Sequence, residues 1–253
     1  MKKLLIFAVA FGSLIQLKAQ NTDSKGQSAD EIIYQAYLNQ KYDAAPWKEA
    51  IKIRETDLNK NSQEIKLRFQ LALSQFALVS SSMRNRDEDL FDEYYNPLLD
   101  NLKKIVEGDK NWAEPYAIQA AAYGVKMGYS PMQGMILGSK STNLIEKAKR
   151  LNPNSAIVWK VYDNSKFFTP EMWGGDLDEA IAGYEKAVQL FEIRPETMIN
   201  NWMYLDTMAF LGQAWAKKGD RAKAIAAYEN ALKAEPNFSW VKYVLLPKVK
   251  SLK

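Results

Sequence analysis

Between Leu205 and Phe238 the chain reads LDTMAFLGQAWAKKGDRAKAIAAYENALKAEPNF. Apolar residues recur there at three and four spacing on both sides of Gly219, which predicts two helices joined by a tight turn. Small residues at Gly212, Ala224 and Ala231 let the two helices approach, Trp215 and Tyr228 fill the gap between them, and Pro236 stops the second. A hairpin of this kind cannot bury its apolar face alone. It needs neighbours of the same shape, and the rest of the chain has to supply them.

The spacing closely resembles that of a tetratricopeptide repeat (TPR). With Leu205 as the first position, Leu211 and Gly212 fall at the repeat's Leu-Gly pair and Trp215 at its aromatic. Ala224, Tyr228 and Ala231 take the small, aromatic and small positions of the second helix. The resemblance implies an all-α, right-handed superhelix of about five helix pairs with a C-terminal capping helix. Weaker copies run upstream. Tyr184-Glu-Lys-Ala187 and Ile145-Glu-Lys-Ala148 echo Tyr228-Glu-Asn-Ala231, at steps of 44 and 39 residues where a standard repeat would take about 34. The excess fits two insertions, around Phe191–Thr197 and Thr169–Gly175. Earlier units then start at Ala156 and near Ala113, the latter with a turn stretched over 129–138. At the small eighth position Asp163 departs from the pattern, which puts the close helix packing of its unit in question.

The N-terminal third has lost these markers. Pro46–Leu58, Gln63–Met83 and Asp87–Val106 each carry an apolar stripe on a helical period, and Asp30–Asn39 carries a weaker one. They are expected to form two further helix pairs, with Pro46 in the first turn of its helix, where a missing N–H costs nothing. Ser239–Leu252 is amphipathic and is expected to cap the last exposed face, as a solenoid requires.

The chain opens with Lys2 and Lys3, a short apolar stretch from Leu4 to Ile15, and Leu17-Lys18-Ala19. This is the pattern of a secretory signal peptide over residues 1–19, too short for a transmembrane helix. A polar leader follows over 20–28, and the helical domain is expected over 29–253. Removing Lys2, Lys3 and Lys18, with no acid lost, takes the net charge from +4 to +1. A near-neutral exported domain gives no basic face for nucleic acid. The expected address is periplasmic or secreted, with no integral membrane segment after cleavage.

The chain has no cysteine and no histidine. Thiol nucleophiles, imidazole acid–base steps and the usual zinc ligand sets are therefore excluded, and no cofactor or metal is expected. Gly134-Met-Ile-Leu-Gly138-Ser-Lys140 is one residue short of a phosphate loop and has a serine before the lysine, so it reads as an interhelical loop with Ser141 or Thr142 capping the next helix. Asp87, Glu88 and Asp89, like Asp176, Asp178 and Glu179, open helices, where negative charge suits the dipole. No catalytic residue is assigned.

By resemblance, the first helix of each repeat lines the concave groove. The positions carried over include Lys160, Asn164 and Phe167 in one unit and Asp206, Phe210, Gln213 and Lys217 in the next. They mix apolar groups with scattered polar ones and lack a dense basic clamp. The chain as a whole resembles exported TPR proteins of Gram-negative bacteria, which implies a non-catalytic scaffold holding a protein or peptide partner in the cell envelope. Two alternatives stand beside it. One is a small molecule or glycan held by Met132, Met135 and Trp173 in the inserted loops; the other is a carboxylate hydrolase. The apolar side chains of those loops are expected to pack on the scaffold or to form a lip over its groove.

Overall fold

The computed structural model describes residues 27–39 and 43–251. The proposed signal peptide and most of the leader lie outside the described residues. Among the described residues eleven α-helices follow one another: α1 (Ala29–Asn39), α2 (Ala44–Lys60), α3 (Ile65–Ser82), α4 (Glu88–Gly108), α5 (Ala113–Tyr129), α6 (Gly134–Leu151), α7 (Ala156–Phe168), α8 (Leu177–Glu192), α9 (Trp202–Lys218), α10 (Arg221–Ala234) and α11 (Leu246–Ser251). The pairs α1/α2, α3/α4, α5/α6, α7/α8 and α9/α10 are hairpins, stacked in chain order into an all-α solenoid. The expected starts at Ala113 and Ala156 coincide with the first residues of α5 and α7.

Polar caps set the helix starts. The carboxylates of Asp43, Asp87, Asp176 and Asp220 accept from backbone N–H groups of Ala45, Leu90, Glu179 and Lys223. Ser155 and Asn201 do the same for α7 and α9. Each such cap contributes roughly 1 kcal/mol. At the end of the chain a π-helical turn, Val241–Leu245, runs directly into α11. Pro247 stands just after it. A residue without an N–H cannot close an α-helical bond to Tyr243, and the widened turn absorbs the gap.

The hairpins pack as the spacing predicts. In α9/α10 a Cβ placed on Gly212 would lie 2.3 Å from Cε1 of Tyr228, so the tyrosine ring rests on the glycine backbone. Ala224 and Ala231 are fully buried on either side of it. In α7/α8 the roles are exchanged. The bulk sits on the first helix as Asp163, and the vacancy sits on the second as Gly183, where a Cβ would meet Asp163 Oδ1 at 1.7 Å. The close approach that Asp163 put in question is thus preserved by a glycine across the hairpin.

Two expectations are corrected. The segment from Gly134 is helical from its first residue and not a loop, so Ser141 and Thr142 cap nothing. Ser141 lies two turns into α6 and donates to the carbonyl of Ala120 on α5. The 3-10 turn Pro131–Gln133 starts the helix, and the Met-Ile-Leu run carries it through both glycines. Nor do the inserted side chains pack on the scaffold. Met132 is 92 % exposed, and Met135, Ile136 and Met172 are also exposed. Met132 and Met172 sit in the turns between α5 and α6 and between α7 and α8, and Met135 and Ile136 lie in the first turn of α6 beside them, at one end of consecutive hairpins where no neighbouring helix buries them.

The helix α1 is placed as no repeat register would place it. Besides pairing with α2, it lies against α9 at the far end of the stack. The Tyr37 ring meets Trp202 and Phe238, each at 5.5 Å between centroids. Trp202 in turn reaches Phe76 of α3. One apolar core therefore joins the first helices to the last, while a second, around Ala117, Ile145 and Val158, serves α5, α6 and α7.

Candidate functional site

The helices α7 and α9 are neighbours, and between them they carry all the predicted groove residues. The N-terminal half of this face is closed. Lys160 Nζ donates to Asp206 Oδ2 at 2.7 Å, and Lys160 is only 3 % exposed. Tyr37 of α1 covers the pair and donates its hydroxyl to Asp206 Oδ1 at 2.6 Å. Burial, and then the charge of Asp206, pushes the Tyr37 phenol well above its ordinary range. Three more contacts hold α1 down. Tyr34 Oη donates to Glu235 Oε2 at 3.0 Å, Asp30 pairs with Arg54 at 2.6 Å, and the Arg84 guanidinium stands over the Tyr37 ring. Lys160 and Asp206, expected to line the concave groove, are thus buried beneath α1 and pair with each other instead of facing an open surface. The sequence signal was present only in the paired tyrosines of α1, three residues apart on one helical face.

The C-terminal half of the same face is open and aromatic. Phe167 and Phe168 meet at 4.9 Å, Phe168 meets Phe210 at 5.4 Å, and Phe210 meets Trp240 at 5.8 Å. Tyr184 of α8 stacks behind Phe210 and donates its hydroxyl to Asn164 Oδ1 at 2.7 Å. Phe168 is 62 % exposed, while Phe167, Phe210 and Trp240 are half-buried. Lys217 is exposed at the rim, with Nζ 5.0 Å from the Phe167 ring centre. One turn before Lys217, the amide nitrogen of Gln213 is buried with no acceptor. Phe168 and Trp240 complete this face: Phe168 stands at a concave position of the same register, next to Phe167, whereas Trp240 lies beyond the last repeat, where the register assigns no groove position. On α5, Gly124 occupies the position equivalent to Phe167. It is exposed, and a Cβ there would meet nothing within 4 Å.

The inserted edge is separate. Of the seven tryptophans only Trp173 is exposed, at 68 %. It follows Met172 in a 3-10 turn that ends on Gly174, whose φ of 94° favours glycine. The next residue, Gly175, has no room for a side chain, because a Cβ would lie 1.8 Å from the Thr169 carbonyl oxygen. The turn is thus held rigidly while its apolar tips face outward. A cleft of about 590 Å³ lies elsewhere, between α8 and α10, floored by Leu205, Met208 and Leu211 of α9 and edged by Glu192, Asn230 and Lys233. It opens where the Phe191–Thr197 insertion separates two successive hairpins.

The acidic clusters have structural roles. Asp176 caps α8, Asp178 pairs with Lys218, and Glu179 accepts from Tyr162 Oη at 2.7 Å and pairs with Lys166 at 2.6 Å. Those hydrogen bonds hold the Glu179 carboxyl below its usual range. Asp163 is different. It is fully buried, neither oxygen has a partner, and burial pushes its carboxyl up to about 9 against the pull of Lys160 and Lys149. It is a neutral acid at pH 7, enclosed between α7 and α8 and away from any cleft.

Comparison with known proteins bears on the fold alone. The tetratricopeptide repeat family matches residues 206–238. No curated protein matches. Among solved structures, a thermophilic TPR protein of Thermus thermophilus is similar at 21% identity and a TM-score of 0.59, over 87% of this chain and 100% of that one. The HusA haemophore of Porphyromonas gingivalis matches at 15% identity and a TM-score of 0.49, over 72% and 94%. MamA matches at 21% identity and a TM-score of 0.38, over 85% and 96%. The first of these, together with the matched repeat, carries the fold assignment.

Proposed function

We propose that this chain, a tetratricopeptide-repeat protein, is a non-catalytic binding scaffold of the cell envelope that holds a segment of a protein partner against the open half of the α7/α9 face. The observation that carries the reading is the aromatic ramp Phe168–Phe210–Trp240, a partly exposed apolar surface on an otherwise well-packed scaffold. An extended or helical segment with an apolar anchor fits such a surface. The envelope address rests on the N-terminal pattern of Lys2, Lys3 and the apolar stretch that follows.

Site-specific photo-crosslinking in the native host tests it. A photoreactive residue at Phe168 is expected to trap a discrete protein adduct, and one at Lys147 on the outer helix α6 is not. Equal labelling at both sites, or none at Phe168, sinks the proposal.

A second reading is favoured by the exposed tips Met132, Met135, Met172 and Trp173. They suit a small molecule or glycan bound at the turn edge, with Trp173 as the stacking surface. That reading expects ligand-dependent tryptophan quenching, abolished in Trp173→Ala. Quenching that persists in this variant, or none across a panel of envelope glycans, counts against it.

A further inference from the structure

The open half of the α7/α9 face also constrains the charge of its occupant. Of the concave positions that the resemblance assigns on α7 (Ile157, Lys160, Val161, Asn164, Phe167 and Phe168) and on α9 (Asp206, Ala209, Phe210, Gln213, Ala216 and Lys217), only Asp206 is an acid and only Lys160 and Lys217 are bases. The acid is spent, because Asp206 already accepts from Lys160 and from Tyr37. Lys160 is spent with it. Lys217 forms no ion pair among the described residues; its Nζ lies over the Phe167 ring and 3.4 Å from the Phe167 carbonyl oxygen. Its neighbour Lys218, by contrast, pairs with Asp178 on the other side of the helix. The ramp thus presents Phe167, Phe168, Phe210 and Trp240 beside one cation that has no ion pair among the described residues, with no carboxylate facing them from either helix. Gln213, one turn from both Phe210 and Lys217, adds a buried amide donor that lacks an acceptor.

We infer that the partner segment carries an acidic side chain within a few residues of an aromatic or large aliphatic anchor, and that Lys217 selects for it. The anchor lies on the Phe168–Phe210 rings, and the carboxylate reaches Lys217 at the rim. A basic residue in that place would face Lys217 with no acid near to offset it. An exposed pair of this kind contributes little affinity but discriminates against like charge. This inference rests on the proposed groove, and it fails separately from it.

The test is a selection of random twelve-residue peptides displayed on phage against the full chain, with Phe210→Ala as the counter-target. The expected result is enrichment of peptides with Asp or Glu within three residues of Phe, Trp or Leu. Changing that acid to its amide is expected to weaken the best peptide by about 2- to 5-fold, the range for an exposed ion pair. Lys217→Glu should reverse the preference toward Lys or Arg, with an unchanged thermal midpoint showing that the variant is folded. Apolar peptides with no acidic bias, bound equally by Lys217→Glu, overturn the charge inference and leave the groove standing. Binders that ignore Phe210→Ala, or no binders at all, overturn the groove itself.

Discussion

Two halves of one helical face behave in opposite ways. Over its first turns the α7/α9 surface is sealed by a short helix from the other end of the chain, and the only ion pair between α7 and α9 among the described residues lies beneath it. Over its last turns the same two helices expose linked aromatic rings beside an unpaired lysine. The helices are continuous across the boundary, so backbone geometry does not distinguish the halves. Occupancy does. The half that carries opposite charges has taken an internal helix as its cover, and the half without a carboxylate remains uncovered.

The largest expected effect comes from breaking the sealed half. Asp206→Ala leaves Lys160 buried without a counter-charge, and a loss of about 3–5 kcal/mol is expected in urea unfolding. A loss below about 1 kcal/mol would mean that water reaches Lys160, and the contrast between the halves would collapse.

Next comes the acid on the other flank of α7, which separates the effect of burial from that of pairing. The folded state holds the Asp163 proton up to about 9, against 3.8 for an ordinary aspartate. Its contribution to stability is therefore full below the ordinary value and is lost as pH rises toward 9, by up to about 1.4 kcal/mol per pH unit. Asp163→Asn removes this loss but keeps an unpartnered amide. It is expected to match the parent near pH 4 and to exceed it by up to about 4 kcal/mol near pH 7, by chemical denaturation across that range. Parallel pH profiles for parent and variant would show that Asp163 finds a partner in solution.

Tyr37→Phe removes one hydrogen bond to a charged acceptor while keeping the ring, and about 1–2 kcal/mol is expected, also from urea unfolding. A larger loss would assign the seal to the hydroxyl rather than to the rings of Trp202 and Phe238. The smallest change belongs to the open half. Phe168→Ser is expected to stay within about 0.5 kcal/mol of the parent in thermal unfolding while peptide capture falls. A cost like that of a core residue would show that Phe168 supports the scaffold.

Much of the scaffold is legible in the sequence from Ala113 onward, because each helix there meets its partner at a fixed offset. Gly212 and Tyr228 could be paired on spacing alone. Gly183 could not be matched to Asp163 without knowing how far the Thr169–Gly175 turn shifts α8. Gly134 and Gly138 suggest an interhelical loop, yet at a four-residue spacing within an apolar run they only weaken a helix, by about 1 kcal/mol each. The groove residues were legible as a set but not as two sets. What divides them is α1, and an eleven-residue amphipathic stripe does not state which distant surface will bury it. The aromatic content of the open half was visible in Phe167 and Phe210, while Trp240 joins it only through the terminal π turn.

The hydrogen bonds from α1 span 169 and 201 residues of chain. In an ordinary repeat array each unit touches only its neighbours, so unfolding frays from the ends and folding can begin anywhere. Here the first helix is fastened to the last hairpin, which turns an open stack into a closed loop of dependencies. Neither end can fray without giving up the contact that stabilises the other, and the array is expected to melt as one cooperative unit. The order of synthesis is affected as well. The helix α1 leaves the ribosome long before Trp202, Asp206 and Phe238 exist, so while α2 can cover one side of it early, the face around Tyr37 must wait for those residues before it can be buried.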